Sequence, residues 1–326
     1  MNVLLVTSEW PTPEQPQIAP FVVREVECLR KLGVQIDVYH FRGSMKPANY
    51  LKAWQGLQKR LDENKYDLLH AQFGQSGLLT FFPKRLPLVV TYQGSDLNGI
   101  VDAHGRQTAE GRLLRWVSQL VALRADQIIL VSPELARSLP FRKSAKVHVI
   151  PGGLDLALFR PFSQAEARQT LGLPLDGKYV LFAGGKNNPI KRYELAENAV
   201  RRVGAEMHAQ LLLANNVLPQ HMPVYMNAAD VLLLTSSREG SPNVVKEALA
   251  CNLPVVSVDV GDVRQRLAGV TGCVVCADDR AETIAAALRQ VLAAARPING
   301  RDAVSHLDGA RLAQQIIAVY EQALAS

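Results

Sequence analysis

The chain has 326 residues, 48% hydrophobic and 20% charged, which suits a globular protein of about two domains at roughly 100–200 residues each. Four cysteines in this length exclude a disulfide scaffold, and no apolar run approaches the ~18 residues of a membrane-spanning helix. The net charge of +6 sits in residues 1–161, with 20 Lys and Arg against 14 Asp and Glu, while residues 162–326 hold 16 of each. A basic half attracts phosphate, anionic lipid or nucleic acid, but no nucleic-acid motif or aromatic–basic interleaving is present, so nucleic acid is not an expected partner.

The opening MNVLLVTSEWP has no basic segment ahead of its apolar residues. It reads as a buried first strand rather than a signal peptide, and the expected location is the cytoplasm. Short apolar strands then alternate with helical stretches: NVLLVTS, a helix near FVVREVECLRKLG, QIDVYHF, a basic helix around ANYLKAWQGLQKRLDE, YDLLHAQF, LPLVVTYQ, a long helix AEGRLLRWVSQLVALRA, QIILVS and VHVIPGG. Near-continuous apolar runs of this length suit parallel strands covered on both faces. The pattern restarts after the join at residues 157–170, with strands at YVLFAGG, AQLLLAN, VLLLTSS, LPVVSVDV and GCVVCA and helices between them. The fold class is α/β, with two doubly wound halves, and the final helix GARLAQQIIAVYEQALA is free to pack back on the first half. Ligands of such sheets bind beyond the carboxyl ends of the strands, so the cleft between the halves is the expected site.

The stretch SSREGSPNVVKEALACNLPVV (236–256) is the most informative. A strand leads through a turn into a helix with Pro242 in its first turn and Ser241 or a neighbour as cap. The amides of Asn243 and Val244 then face an anion. Glu239 and Glu247 flank that point with seven residues between them. Carboxylates beside an anion site make sense when they bind hydroxyls on either side of a diphosphate, as a nucleotide sugar would offer. The plainer reading is an exposed helical glutamate and a loop glutamate. Lys186 and Lys191, in FAGGKNNPIKRYEL, are either solvated loop charges or a grip on phosphate; no G-x-x-x-x-G-K-[ST] loop is present. Cys273 and Cys276 lie on a short strand and read as two small buried side chains rather than a metal or redox pair. The scattered histidines and the lack of D-x-D give no expectation of a metal or other cofactor.

Glu239, Glu247 and the following ACNLPVVSVDVGDV, with YDLLHAQFGQSGLL, PLVVTYQGSDL, ADQIILVSPELARSLP, VHVIPGGLDLALFRP and NAADVLLLTSSREGSPNVVKEALA, resemble in order the segments of the family 4 glycosyltransferases. The last segment is similar to members that build surface polysaccharides. The resemblance implies the GT-B fold, with an acceptor-side domain over 1–160, a nucleotide-sugar-binding domain over 161–307 and a C-terminal helix over 308–326. It implies a retaining transfer from a nucleoside diphosphate sugar to a glycan or lipid-linked acceptor. Glu239, Lys191, Lys186 and Gln93 carry the catalytic expectation; Glu247, Asn243, Val244, Ser241, Gly240 and Gly185 carry donor binding.

Two positions depart from the family pattern. Gln93 stands where the family often has His, and a Gln cannot shuttle protons. Ala19 stands where Gly is usual. Ala19, His70, Gln72 and Asp96 are acceptor-side candidates, with Asp96 read first as a turn cap and His70 first as a satisfied, partly buried histidine. The basic helices read as packed on the sheet with charges in water, the alternative being weak peripheral contact with an anionic membrane. Two rival functions stay open on the sequence: an epimerase or hydrolase of the same fold, and a binding subunit without chemistry.

Overall fold

The computed structural model describes residues 1–43, 46–81, 86–100, 106–141, 144–294 and 298–325, with the side chain of Ala205 left out. The chain divides into two compact units, Met1–Gly153 with Gly309–Ser326, and Leu154–Asp308.

The first unit holds six parallel strands: β1 (Asn2–Thr7), β2 (Gln35–His40), β3 (Leu68–Gln72), β4 (Leu88–Tyr92), β5 (Gln127–Leu130) and β6 (Val147–Val149). Their order is β2-β1-β3-β4-β5-β6, so the winding reverses between β1 and β3. β3, β4 and β5 are buried along their whole length, as the unbroken apolar runs require when helices cover both faces. Those helices are α1 (Pro20–Lys31), α2 (Pro47–Glu63), α3 (Gly74–Gly77), α4 (Ser95–Asn98) and α5 (Ala109–Arg124). Helix α1 opens with proline in its first turn and buries Val22, Val26 and Leu29, one face at helical spacing. Helix α5 is capped by Thr108, whose hydroxyl oxygen accepts from Gly111 N–H at 2.9 Å. Its inner face buries Leu114, Val121 and Ala122, while Leu113, Trp116 and Leu123 are more than half exposed. On α2 the buried residues are Ala53 and Leu57, and Leu51 is exposed.

The second unit holds five parallel strands: β7 (Lys178–Ala183), β8 (Ala209–Ala214), β9 (Val231–Leu234), β10 (Val255–Ser257) and β11 (Val274–Val275). The order β11-β10-β9-β7-β8 places the reversal between β7 and β9. Around them lie α6 (Gln164–Thr170), α7 (Tyr193–Met207), α8 (Met222–Ala228), α9 (Asn243–Ala250), α10 (Val263–Leu267), α11 (Ala281–Ala293) and α12 (Gly300–Val304). Arg168 of α6 donates to Asp230 at 2.9 Å, and Asp230 also accepts from Tyr179 N–H at 2.7 Å, joining α6 to the entrances of β7 and β9. Cys276 is buried, and the Cys273 sulfur accepts from Val255 N–H. The last helix, α13 (Gly309–Leu324), packs on α1 and against β3, β4 and β5 in the first unit. Among the described residues, no helix is long and apolar enough to cross a membrane.

Candidate functional site

In a doubly wound sheet, the loops leaving the strands on either side of the reversal open a crevice between them. In the second unit those are the loops after β7 and β9, and the chain binds them together. Ser237 N–H donates to Ile190 O at 2.8 Å, Thr235 Oγ1 to Lys191 O at 2.7 Å, and Arg192 Nε to Thr235 O at 2.6 Å. Lys191 Nζ meets Glu239 Oε1 at 2.7 Å, with the two side chains 24% and 18% exposed. The lysine stem runs over Gly184, which has φ of 152°; a Cβ there would lie 3.2 Å from Lys191 Cγ. Gly185 follows, facing Asn215. Lys186 is turned differently, its ammonium 4.8 Å from the centroid of the Tyr193 ring, a cation–π contact.

Helix α9 starts immediately beyond. Pro242 is its N-cap, with Asn243 and Val244 as its first residues, and no side chain caps it. The expected cap from Ser241 is not made, because the Ser241 hydroxyl donates instead to Asp262 Oδ2 at 2.8 Å. The first amides of α9 therefore keep their donors for another partner. Glu247 lies four residues beyond Asn243, on the same face of the helix, and is 8% exposed. The segment carrying Glu239, Gly240 and Ser241 is held from behind by the turn after β10. Asp262 N–H donates to Gly240 O at 3.1 Å, and Arg266 anchors Asp262 Oδ2 at 2.9 Å. Gly261 adopts φ of 56°, and a Cβ there would sit 2.4 Å from Gly240 O, so the close approach itself requires glycine. Lys191, Glu239, Gly240, Ser241, Asn243, Val244 and Glu247 thus lie on two adjoining loops and one helix start. Asp262 and Gly261, which hold them, were missed from the sequence. The i, i+4 spacing of Asp262 and Arg266 was the available signal.

The first unit sorts its candidates differently. His70 is wholly buried, its ring nitrogens 2.7 Å from Tyr320 Oη and 2.7 Å from Thr91 Oγ1. Burial drives its pKa down to about 3. It is a neutral core residue and does not line a binding surface. Asp96 is also buried, and its carboxylate accepts from the N–H groups of Gly74, Gln93, Gly94 and Leu97 at 3.2, 3.3, 2.9 and 3.0 Å. Burial raises its pKa against those four bonds, and its work is to shape the turn after β4. Gln72 is fully buried as well, linking Gln93 to Glu25: Gln93 Nε2 donates to Gln72 Oε1 at 3.0 Å, and Gln72 Nε2 to Glu25 Oε1 at 2.5 Å. Of this group Gln93 and Glu25 are partly exposed, the Glu25 side chain by 16%. Ala19 is the N-cap of α1 at φ 46°, ψ 48°, the left-handed conformation that glycine takes without penalty. It borders a hollow of about 310 Å³ with Ser8, Glu9, Trp10, Ile18 and His40. Among the described residues, no three His, Cys, Asp or Glu side chains gather as ligands for a metal.

Residues 1–158 match the family described as Glycosyltransferase Family 4, and residues 176–294 match the Glycosyl transferases group 1 family. A Bacillus subtilis (strain 168) protein named as a teichuronic acid biosynthesis glycosyltransferase, TuaC, is 30% identical, covering 81% of this chain and 82% of its own. The chain belongs to the family 4 glycosyltransferases. Solved structures agree on the GT-B fold of this glycosyltransferase. Sucrose-phosphate synthase from Thermosynechococcus elongatus superposes with a TM-score of 0.78 at 19% identity over 99% of both chains. Anabaena HepE, solved with UDP and glucose, superposes with a TM-score of 0.70 at 16% identity over 98% of this chain and 99% of its own. The glycosyltransferase is accordingly an enzyme of two Rossmann-like domains. The epimerase, hydrolase and inert-subunit readings give way to transfer.

Proposed function

We propose that this glycosyltransferase moves a hexose-type unit from a nucleoside diphosphate sugar to a glycan or lipid-linked acceptor, retaining configuration at the anomeric carbon. The observation that carries the reading is the Lys191–Glu239 pair beside the open amides of α9, at the reversal of the second sheet. A diphosphate on the Asn243 and Val244 amides takes Lys191 and Lys186 as countercharges, Lys186 swinging from the Tyr193 face. Glu247 accepts from the ribose hydroxyls. Glu239 accepts from sugar hydroxyls and stabilises positive charge developing at the reacting carbon. Gly185, Gly240 and Ser241 complete the donor side, the glycines by letting backbone approach closely.

As the bond from the anomeric carbon to the phosphate oxygen breaks, the negative charge developing on the diphosphate is the main electrostatic demand, and the amides and lysines meet it. The departing oxygen takes the acceptor's hydroxyl proton on the same face of the sugar, so no side-chain base is needed and Gln93 suffices as a hydrogen-bonding group. The lysines provide the countercharge in this reading, and turnover is expected to persist in EDTA. The HepE complex offers UDP and glucose as a precedent for the donor class, and the name of the Bacillus relative a precedent for a polysaccharide product.

We also propose contact with anionic membrane through α5. Leu113, Trp116 and Leu123 share one helical face beside Arg112 and Arg115, all five exposed, the composition of an interfacial helix. Co-sedimentation with liposomes that rises with anionic lipid supports the contact, and binding indifferent to lipid charge refutes it. The donor reading is tested by a thermal-shift screen across UDP, GDP, ADP and their sugars. One nucleoside diphosphate raising the melting temperature supports it; no shift with any of them at millimolar concentration refutes it.

A further inference from the structure

Hydrogen-bond direction along a chain of amides is fixed by its end group. A carboxylate only accepts, so an amide beside it must turn its NH2 toward it and its carbonyl oxygen away. In the first unit such a chain runs through the fully buried Gln72, with partly exposed Glu25 and Gln93 at its two ends. Gln72, fully buried at the end of β3, gives its NH2 to Glu25 of α1 and its carbonyl oxygen to the NH2 of Gln93. The Gln93 carbonyl oxygen then has no partner among the described residues and is open to solvent.

We propose that Glu25 is a positioning residue: acting through Gln72, it turns the Gln93 amide so that its carbonyl oxygen, rather than its NH2, faces outward to accept a hydrogen bond from a substrate hydroxyl. The proposal rests on the reading above that Gln93 touches substrate. An isolated glutamine presents either end, whereas this one is directed. A protonated Glu25 relaxes the constraint, since its O–H can donate to the Gln72 carbonyl and both amides can then reverse.

The groups facing Glu25 leave its own ionisation as the control. From β3 come Gln72 and the His70 ring, whose Nδ1 lies 4.0 Å from Glu25 Oε1 and which burial keeps neutral. From α13 comes Tyr320, whose hydroxyl is bonded to His70 and which burial pushes well above its ordinary value. On its own helix, Arg24 borders the same hollow of about 10 Å³ and donates to Gly153 O at 3.5 Å. Burial lifts Glu25 to about 8, against the bond from Gln72, so the directed state is favoured as pH rises through that value.

Glutamine side-chain NH2 resonances of the full-length protein, 15N-labelled at glutamine, read the chain without substrate; Gln93→Asn assigns the Gln93 pair by its loss. In the wild type the Gln93 NH2 pair is expected to shift with a midpoint near 8. In Glu25→Gln the titration disappears. It also disappears in Gln72→Met, which leaves Glu25 in place and breaks the chain. A Gln93 pair that does not titrate, or that titrates unchanged in Gln72→Met, overturns the orienting role. An intact titration together with unchanged transfer kinetics in Gln93→Ala overturns the substrate contact instead, so the two failures are separable.

Discussion

The Lys191–Glu239 pair yields opposite predictions for two ligands. The ammonium is held by the carboxylate at 2.7 Å; in the proposed donor complex it turns to the diphosphate while the carboxylate takes sugar hydroxyls. Two unit charges interact by about 4 kcal/mol at ~4 Å and an effective dielectric of ~20. Lys191 is 24% exposed, and screening at that exposure removes roughly half of this, leaving about 2 kcal/mol, or roughly thirtyfold in affinity. Titration calorimetry of Lys191→Ala should therefore show about thirtyfold weaker binding of the nucleoside diphosphate selected by the screen, with the bare nucleoside unaffected. Glu239→Ala frees the lysine from its competing partner. It should bind the nucleoside diphosphate as well as the wild type or more tightly, and the corresponding nucleotide sugar more weakly. Equal weakening of both ligands in Glu239→Ala, or diphosphate affinity retained in Lys191→Ala, refutes the division of labour.

Three further outcomes follow from the first unit. Gln93→Ala should lower kcat/KM for acceptor about tenfold, the loss of one substrate hydrogen bond, while calorimetric affinity for the nucleoside diphosphate stays unchanged. Ala19→Gly should be within about 0.5 kcal/mol of wild type in urea denaturation, because relief of the left-handed backbone offsets the lost methyl and the looser unfolded chain. Ala19→Val, β-branched at the same φ, should cost about 2 kcal/mol or more. His70 is held at about 3 in the folded state against 6.5 unfolded. The stability it contributes is therefore full above 6.5 and lost as pH falls. Between pH 6.5 and 5 the loss should reach about 2 kcal/mol, and a His70→Gln variant should show a shallower decline in melting temperature over that interval.

The alternating apolar runs were enough to place the eleven strands of the described residues, most plainly the central ones, because parallel strands buried on both faces leave an unbroken hydrophobic trace. Helices with a strong one-sided pattern, such as α1, α11 and α13, were equally readable. The short α6 and α12 were not, since a turn or two leaves no periodicity to see. The sequence pattern puts the join at 157–170, and the division between the units falls earlier, at Gly153–Leu154. It has no signal of its own because the strand-ending PGG runs straight into LDLALF.

At the site, residue identity and order marked Glu239, Glu247 and the two lysines. Which side chains face one another depended on strand order. The loops of β7 and β9 meet because β8 lies on the far side of β7, and spacing along the chain does not reveal that. For the same reason Asp262 gives no signal behind the Glu239 loop; of the cap expected at Ser241 or a neighbour, the N-cap position falls on Pro242 and the Ser241 hydroxyl is committed to that aspartate. The Glu25–Gln72–Gln93 chain joins three elements across 68 residues of sequence and has no linear signature.

The proposed recognition of a ribose by Glu247, next to the proposed phosphate site at the start of α9, is the most direct point of attack. Calorimetry should compare the ribonucleoside diphosphate selected by the screen with its 2′,3′-dideoxy analogue, on wild type and on Glu247→Ala. The wild type is expected to discriminate against the dideoxy compound by roughly 10- to 100-fold, the worth of a charge-assisted hydrogen-bond pair at about 1.5–3 kcal/mol. Glu247→Ala should bind the two with nearly equal affinity. Discrimination as strong in Glu247→Ala as in the wild type would place the ribose elsewhere and contradict the account.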